Sequence, residues 1–429
     1  MNKREYPAIG ETLYEDVLPN GLRIAVIPKP GFSRKFAMFA TDYGSADRRF
    51  HLKGEFIDTP AGVAHFLEHK MFDMPDGDNA LARISANGAQ PNAFTSPGMT
   101  AYYFECTSGF EENLEMLLKF VSTPYFTEES VAKEQGIIAQ EIRMGEDDPG
   151  FVIFEELMRC LYDHHPIRDN IAGTVESIAQ ITPETLYHCH SIFYHPSNMC
   201  LCVVGDVDPR QVKETALALL NPQPGPLPLR DYGAPEGCAP AQRRFSRAME
   251  VSAPQFIAGL KLETAEKGTP LLRQKLLGGL ALSYLYGPSS PFYNRLYEQG
   301  LLNTDYSAGM DYSAGAMLVM AGGESRDPEA VLEEMCAEIR RVCDQGLDRA
   351  LWSRVKKSAY GARIRALSSF SGLCASLADG AFGEYNCLDS FALVESIEEE
   401  DVVDFIRSQL IPEHFAMSVI HPLGGKEVE

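Results

Sequence analysis

The sequence predicts an α+β protein of two homologous domains, each an antiparallel-rich β-sheet packed against α-helices. Three observations carry that expectation. A chain of 429 residues exceeds what one hydrophobic core supports, and its 45% apolar residues are enough to fill two. The order of elements in the second half replays the order in the first, although few residues match. Between the halves stands Asn221-Pro222-Gln223-Pro224-Gly225-Pro226-Leu227-Pro228, whose proline density breaks both helix and sheet. The expected division is therefore a first domain over 1–220, a linker over 221–244 and a second domain over 245–429.

Taken in order, residues 17–27 carry Asn20-Gly21 between apolar runs, the signal of a hairpin. A strand is expected over 36–43. Thr59-Pro60 predicts a helix start, with threonine as N-cap and proline at the first helical position, where its missing N–H costs nothing. Residues 78–87 read as a short helix, and 91–95 with 100–104 as a pair of strands, Pro91 being compatible with a sheet edge. Thr127-Glu128-Glu129-Ser130 opens a helix over 127–144 with acid in its first turn. The stretch 151–194 is mainly helical, 198–206 is a buried strand, and 209–220 is a helix. Past the linker come a strand at 255–263, a helix at 271–286 and strands within 304–321. Helices over 328–345, 347–368 and 399–410 and a strand at 415–420 complete the chain.

A formal charge of −22 without any basic cluster argues against nucleic acid or an anionic membrane as the main partner. The segment from Met1 to Pro7 leads into no apolar stretch, and no run approaches the roughly 20 apolar residues a spanning helix needs. A soluble, unsecreted, cytoplasmic protein is expected. The ten cysteines show no Cys-x-x-Cys spacing, which fits a reducing compartment and packing roles.

Chemistry concentrates at His65-Phe66-Leu67-Glu68-His69. At about 100° per residue, two imidazoles four apart share one helix face and can grip one Zn²⁺, while the glutamate between them can act as general base. The same spacing also occurs in amphipathic helices that bind nothing. A zinc site needs a third protein ligand, and the helix over 127–144 offers two carboxylates, Glu134 and Glu141, flanking its apolar stripe of Val131, Ile138 and Ile142. Either can instead reach water or pair with Lys133 or Arg143. A cation held by the upstream histidines and still lacking an anionic ligand favours Glu141. His164, His188, His190 and His195 have no partner at ligand spacing and read as structural or surface residues.

Several segments together carry a family resemblance. They are Gly62 to Phe72, Gly88, Asn92-Ala93-Phe94-Thr95, Thr100-Ala101-Tyr102, Glu134 with Glu141, His165-Pro166, Ile171-Ala172-Gly173-Thr174 and Tyr194 to Met199. The chain resembles the pitrilysin/insulysin family of inverzincin zinc metallopeptidases, and in length and layout the mitochondrial-processing-peptidase-like branch, whose subunits pair into a clamshell. The resemblance is specific over the first half and weak over the second. It implies a zinc-dependent endopeptidase with one Zn²⁺ per chain, held by His65, His69 and Glu141. It also implies Glu68 as the base and Glu134 as a supporting acid. Asn92, Ala93, Phe94 and Thr95 are implied as a substrate-docking edge to which an extended peptide adds as a strand.

The second half departs from that family's pattern. Where an arginine and, seven residues on, a tyrosine are expected to contact substrate, Tyr297 and Thr304 stand, with Arg295 and Tyr306 two residues out of register. The expectation is a heterodimer in which a homologous partner lacking the zinc motif supplies that pair and completes a chamber for peptides or unfolded segments. A homodimer using Arg295 and Tyr306 is the alternative, and a non-catalytic or client-specific maturation or assembly subunit is the competing function.

Overall fold

The hairpin at Asn20-Gly21 forms, with Gly21 at φ 86°, in a computed structural model that describes residues 1–424. In chain order the first strands are β1 (Asn2–Tyr6), β2 (Glu11–Val17), β3 (Arg23–Pro28) and β4 (Lys35–Thr41). There follow β5 (Arg49–Leu52), β6 (Glu55–Asp58), β7 (Ala89–Thr95), β8 (Thr100–Cys106) and β9 (Met199–Gly205). Seven of these form one sheet in the order β1-β2-β3-β9-β4-β8-β7. β9 is buried along its whole length, as its apolar run requires, and lies parallel to β3 and antiparallel to β4. β7 ends the sheet and pairs only with β8, so Pro91 occupies an edge.

Two compact units interleave along the chain: residues 1–142, 170–232 and 364–388 make the first, and 143–169, 233–363 and the described residues from 389 onward make the second. A contiguous split at 221–244 does not describe them. Residues 229–232 belong to the first unit, where β10 (Leu229–Arg230) pairs with β5. Arg230 reaches Asp42 at 3.1 Å and Asp47 at 3.0 Å, and Tyr232 donates to Asp47 at 2.8 Å. These partly buried contacts hold to the first unit a segment that its prolines had marked as an interdomain linker.

The second unit contains β11 (Arg244–Met249), β12 (Gln255–Leu262), β13 (Ser307–Ser313), β14 (Ala316–Glu324) and β15 (Ala416–Pro422). They are ordered β11-β15-β12-β14-β13, with β11 parallel to β15 and the other neighbours antiparallel. Strands β3, β4, β7, β8 and β9 of the first sheet obey the same permutation, β3-β9-β4-β8-β7. The replay read from element order is therefore a replay of topology.

Helices α1 (Val63–Lys70), α2 (Ala80–Ala86) and α4 (Glu128–Glu146) follow the expected places, α3 (Phe110–Ser122) was not expected, and α5 (Pro149–Leu161) opens the expected helical stretch. One start is corrected. Thr59 does not cap α1: its N–H and its hydroxyl both donate to the Arg48 carbonyl, and the helix begins at Val63 after Gly62. Gly62 sits at φ 92°, and a Cβ there would lie 2.4 Å from the Ala172 carbonyl oxygen. This close approach of two loops, which only glycine permits, decides where the helix enters. The helix Phe370–Gly383 was not expected; it joins the first unit, where Cys374 packs with its thiol donating to the Cys202 carbonyl oxygen at 3.5 Å.

Candidate metal centre

α1 buries Val63, Phe66 and Leu67 against the first core, which turns His65 and His69 together toward α4. α4 in turn buries Val131, Ile138, Ala139 and Ile142, leaving Glu134 and Glu141 on its flank as the helical period requires. The two imidazole rings stand 4.5 Å apart between centroids. Glu141 meets both: Oε1 lies 3.6 Å from His65 Nε2, and Oε2 lies 3.8 Å from His69 Nε2. One ligand atom from each of the three residues falls within 4.8 Å of the other two, and this is the one such cluster among the described residues.

The donor set suits zinc. Two imidazole nitrogens and a carboxylate oxygen at these separations bracket one ion with bonds of about 2.0–2.2 Å. His69 Nδ1 lies 3.0 Å from Glu134 Oε1, so an ionised Glu134 accepts the Nδ1 proton and leaves the Nε2 lone pair facing the cluster. His65 Nδ1 is buried with no hydrogen-bond partner among the described residues.

The electrostatics differ between the two histidines. Burial, helped by neighbouring His69, pushes His65 down to about 4, so this imidazole is a neutral donor at ordinary pH. Burial also opposes charge on His69, but the Glu134 hydrogen bond and the fields of Glu134, Glu141 and Glu68 outweigh it and raise its pKa. For Glu134 burial is again outweighed, here by His69 and Lys70, and its carboxyl is held below the usual range.

Glu68 is outside the cluster. Its Oε2 accepts a 2.6 Å hydrogen bond from Thr95 Oγ1 at the end of β7. Burial raises its pKa, and the Thr95 hydrogen bond moderates the rise. Asn92, Ala93 and Phe94 lie along the outer edge of β7; the Asn92 side chain is turned onto the N–H of Ala93 at 2.8 Å. The Thr95 hydroxyl, read from the sequence only as part of a docking edge, is engaged with Glu68.

Lys70 was not singled out from the sequence. Its side chain is 2% exposed and pairs with Asp73 and, at 3.8 Å, with Glu134 Oε2. The signal was present: Lys70 follows Val63 by seven residues and Leu67 by three, which places it on the apolar stripe of α1. In the second unit, Arg295 is bound to Glu334 at 2.6 Å and Tyr306 is buried at 6% exposure, whereas Tyr297 is half exposed and stacks on Tyr293.

Known proteins resemble this chain in sequence and in fold. The family model described as Insulinase (Peptidase family M16) matches residues 53–175, and the one described as Peptidase M16 inactive domain matches 180–359. An uncharacterized zinc protease of Bacillus subtilis, YmfH, is 36% identical over 427 residues, covering 97% of this chain and 98% of its own. The chain belongs to the insulinase family, peptidase family M16. Among solved structures, an M16-like protein of Alicyclobacillus acidocaldarius superposes with a TM-score of 0.91 at 33% identity, over 98% of this chain and 99% of its own. Pitrilysin, at 16% identity, shares the fold with a TM-score of 0.77 over 98% of this chain and 46% of its own. The M16 insulinase match spans His65, Glu68, His69, Glu134 and Glu141. No helix among the described residues is long and apolar enough to cross a membrane.

Proposed function

We propose that the chain is a zinc-dependent endopeptidase acting on peptides or unfolded segments. His65, His69 and Glu141 hold one Zn²⁺ per chain, and Glu68 is the catalytic base. The observation that carries this reading is the convergence of the three ligand atoms with Glu68 beside them, anchored by Thr95 rather than drawn into the cluster. When bound, the metal supplies Lewis-acid polarisation of a peptide carbonyl and lowers the pKa of water at the site. Glu68 takes the proton from the attacking water and returns it to the leaving amine nitrogen, a transfer favoured by its raised basicity. β7 offers an open edge on which an extended peptide lies as an added strand, held by main-chain hydrogen bonds that read little sequence.

A homologous partner without the zinc motif fits the second unit. The engagement of Arg295 with Glu334 and the burial of Tyr306 favour a partner as the source of the substrate-contacting arginine and tyrosine, over a homodimer using these two residues. That partner would close the chamber in which cleavage occurs, and the cytoplasm is the compartment we assign. A non-catalytic assembly role is disfavoured by the intact set of His65, Glu68, His69 and Glu141.

Metal analysis of the wild type and Glu68→Gln tests the reading. The wild type should hold about one Zn²⁺ per chain; the variant should keep it and lose peptidase activity by a factor on the order of 100 or more. A zinc-free wild type, or a variant that cleaves normally, defeats it.

A further inference from the structure

We propose that Lys70 is a positioning residue for the metal centre, holding one oxygen of Glu134 so that the other stays on His69 Nδ1 and His69 Nε2 is committed to the metal. The inference rests on the zinc reading above. A lysine at 2% exposure on the apolar stripe of a helix is costly unless its ammonium is met by anions. Two carboxylates meet it, Asp73 and Glu134. Val63, Phe66 and Leu67 occupy the rest of that stripe, so packing alone would be served by an apolar side chain at position 70.

Glu134 shows what the charge achieves. Its Oε1 lies 3.0 Å from His69 Nδ1, and its Oε2 lies 3.8 Å from Lys70 Nζ. A carboxylate held at one oxygen turns about its terminal torsion, which is broad for glutamate. Held at both, it presents a fixed acceptor to the imidazole. The ring proton then stays on Nδ1 and the lone pair on Nε2, which points toward Glu141. Asp73, on the loop just after α1, takes the remaining side of the ammonium and keeps Lys70 in place.

The test compares wild type, Lys70→Met and Lys70→Arg by two measurements. Zinc affinity is read by competition with a chelator. The His69 tautomer is read in the zinc-free chain from ¹⁵N imidazole shifts at pH 9, assigned with His69→Gln. The expected results are an Nδ1–H tautomer in the wild type and a mixture of tautomers in Lys70→Met. Zinc binding should be about 10–100-fold weaker in Lys70→Met, with most of that loss recovered in Lys70→Arg. Lys70→Met with unchanged zinc affinity and His69 signals overturns the proposal, even with a lowered melting temperature, because Lys70 would then serve packing only. Should Lys70→Met not fold, a wild-type His69 protonated at Nε2 overturns it by itself. Failure of the wild type to bind zinc would sink the zinc reading instead, since the tautomer is measured without metal.

Discussion

On the proposed zinc reading, the Thr95 hydroxyl serves the chemistry through Glu68 without being a ligand. Its 2.6 Å hydrogen bond fixes one oxygen of Glu68 and leaves the other free to accept a proton. Thr95→Val should keep full zinc content while kcat falls by about 10–100-fold, the usual effect of losing such a support, and Thr95→Ser should retain most activity. Metal analysis alongside steady-state kinetics separates this outcome from simple loss of the site. At this scale the sequence was most readable where helical spacing alone fixes geometry. The roughly 100° turn per residue puts His65 with His69 on one face and Glu134 with Glu141 beside an apolar stripe, while their separate roles came from the family resemblance. Contacts between elements were not readable: nothing local to Thr95 announces Glu68. Lys70 was legible in principle, as a charge on an apolar stripe whose compensating anions only the fold reveals.

Among the elements, α1 begins at Val63 because a long-range contact, Gly62 against Ala172, overrides the local Thr59-Pro60 start signal. The helix Phe370–Gly383 is not announced locally because its three glycines and two serines weaken helical preference, and burial rather than propensity makes it. A similar tie forms after the proline-rich segment. The Glu236 carboxylate accepts the N–H groups of Asp163, His164 and His165 at 2.8, 2.8 and 2.7 Å and lies 3.3 Å from Lys261. Burial works against this charge, but the three donors and Lys261 more than offset it and hold the pKa down to about 2. An acid whose folded pKa is depressed adds stability above its unfolded value, and that stability is lost as pH falls from about 4.5 toward about 2. Allowing for partial solvent screening, Glu236→Gln should lower unfolding free energy by on the order of 1–2 kcal/mol at pH 7. The difference from wild type should shrink between pH 4.5 and 3.5, as read by denaturant midpoints; a pH-independent difference would show that the charge is not the cause.

For the whole molecule, two sheets share one strand permutation, yet among the described residues only the first unit carries a candidate metal cluster, so the second repeats the architecture without that donor set. The duplication was visible in element order; the interleaving was not, because no local signal in 364–388 says which core it joins. The helix Phe370–Gly383 sets its Cys374 against the face of β9 that carries Cys200 and Cys202, and Arg23 on β3 donates to the carbonyl of Ala381. A fragment ending at residue 244 keeps every candidate zinc ligand but lacks this cover. It should express as an aggregating or molten chain without native near-ultraviolet circular dichroism, and a soluble, zinc-binding fragment would show that the helix is dispensable. The same topology sets a timetable for biosynthesis. His65, His69 and Glu141 are made early, yet the sheet behind them waits for residue 388. At about 5–20 residues per second, that leaves the first core open for on the order of 10–30 s after its last strand is synthesised. Throughout that interval the nascent chain holds the candidate metal ligands on an uncovered sheet, so the complete site assembles only near the end of translation.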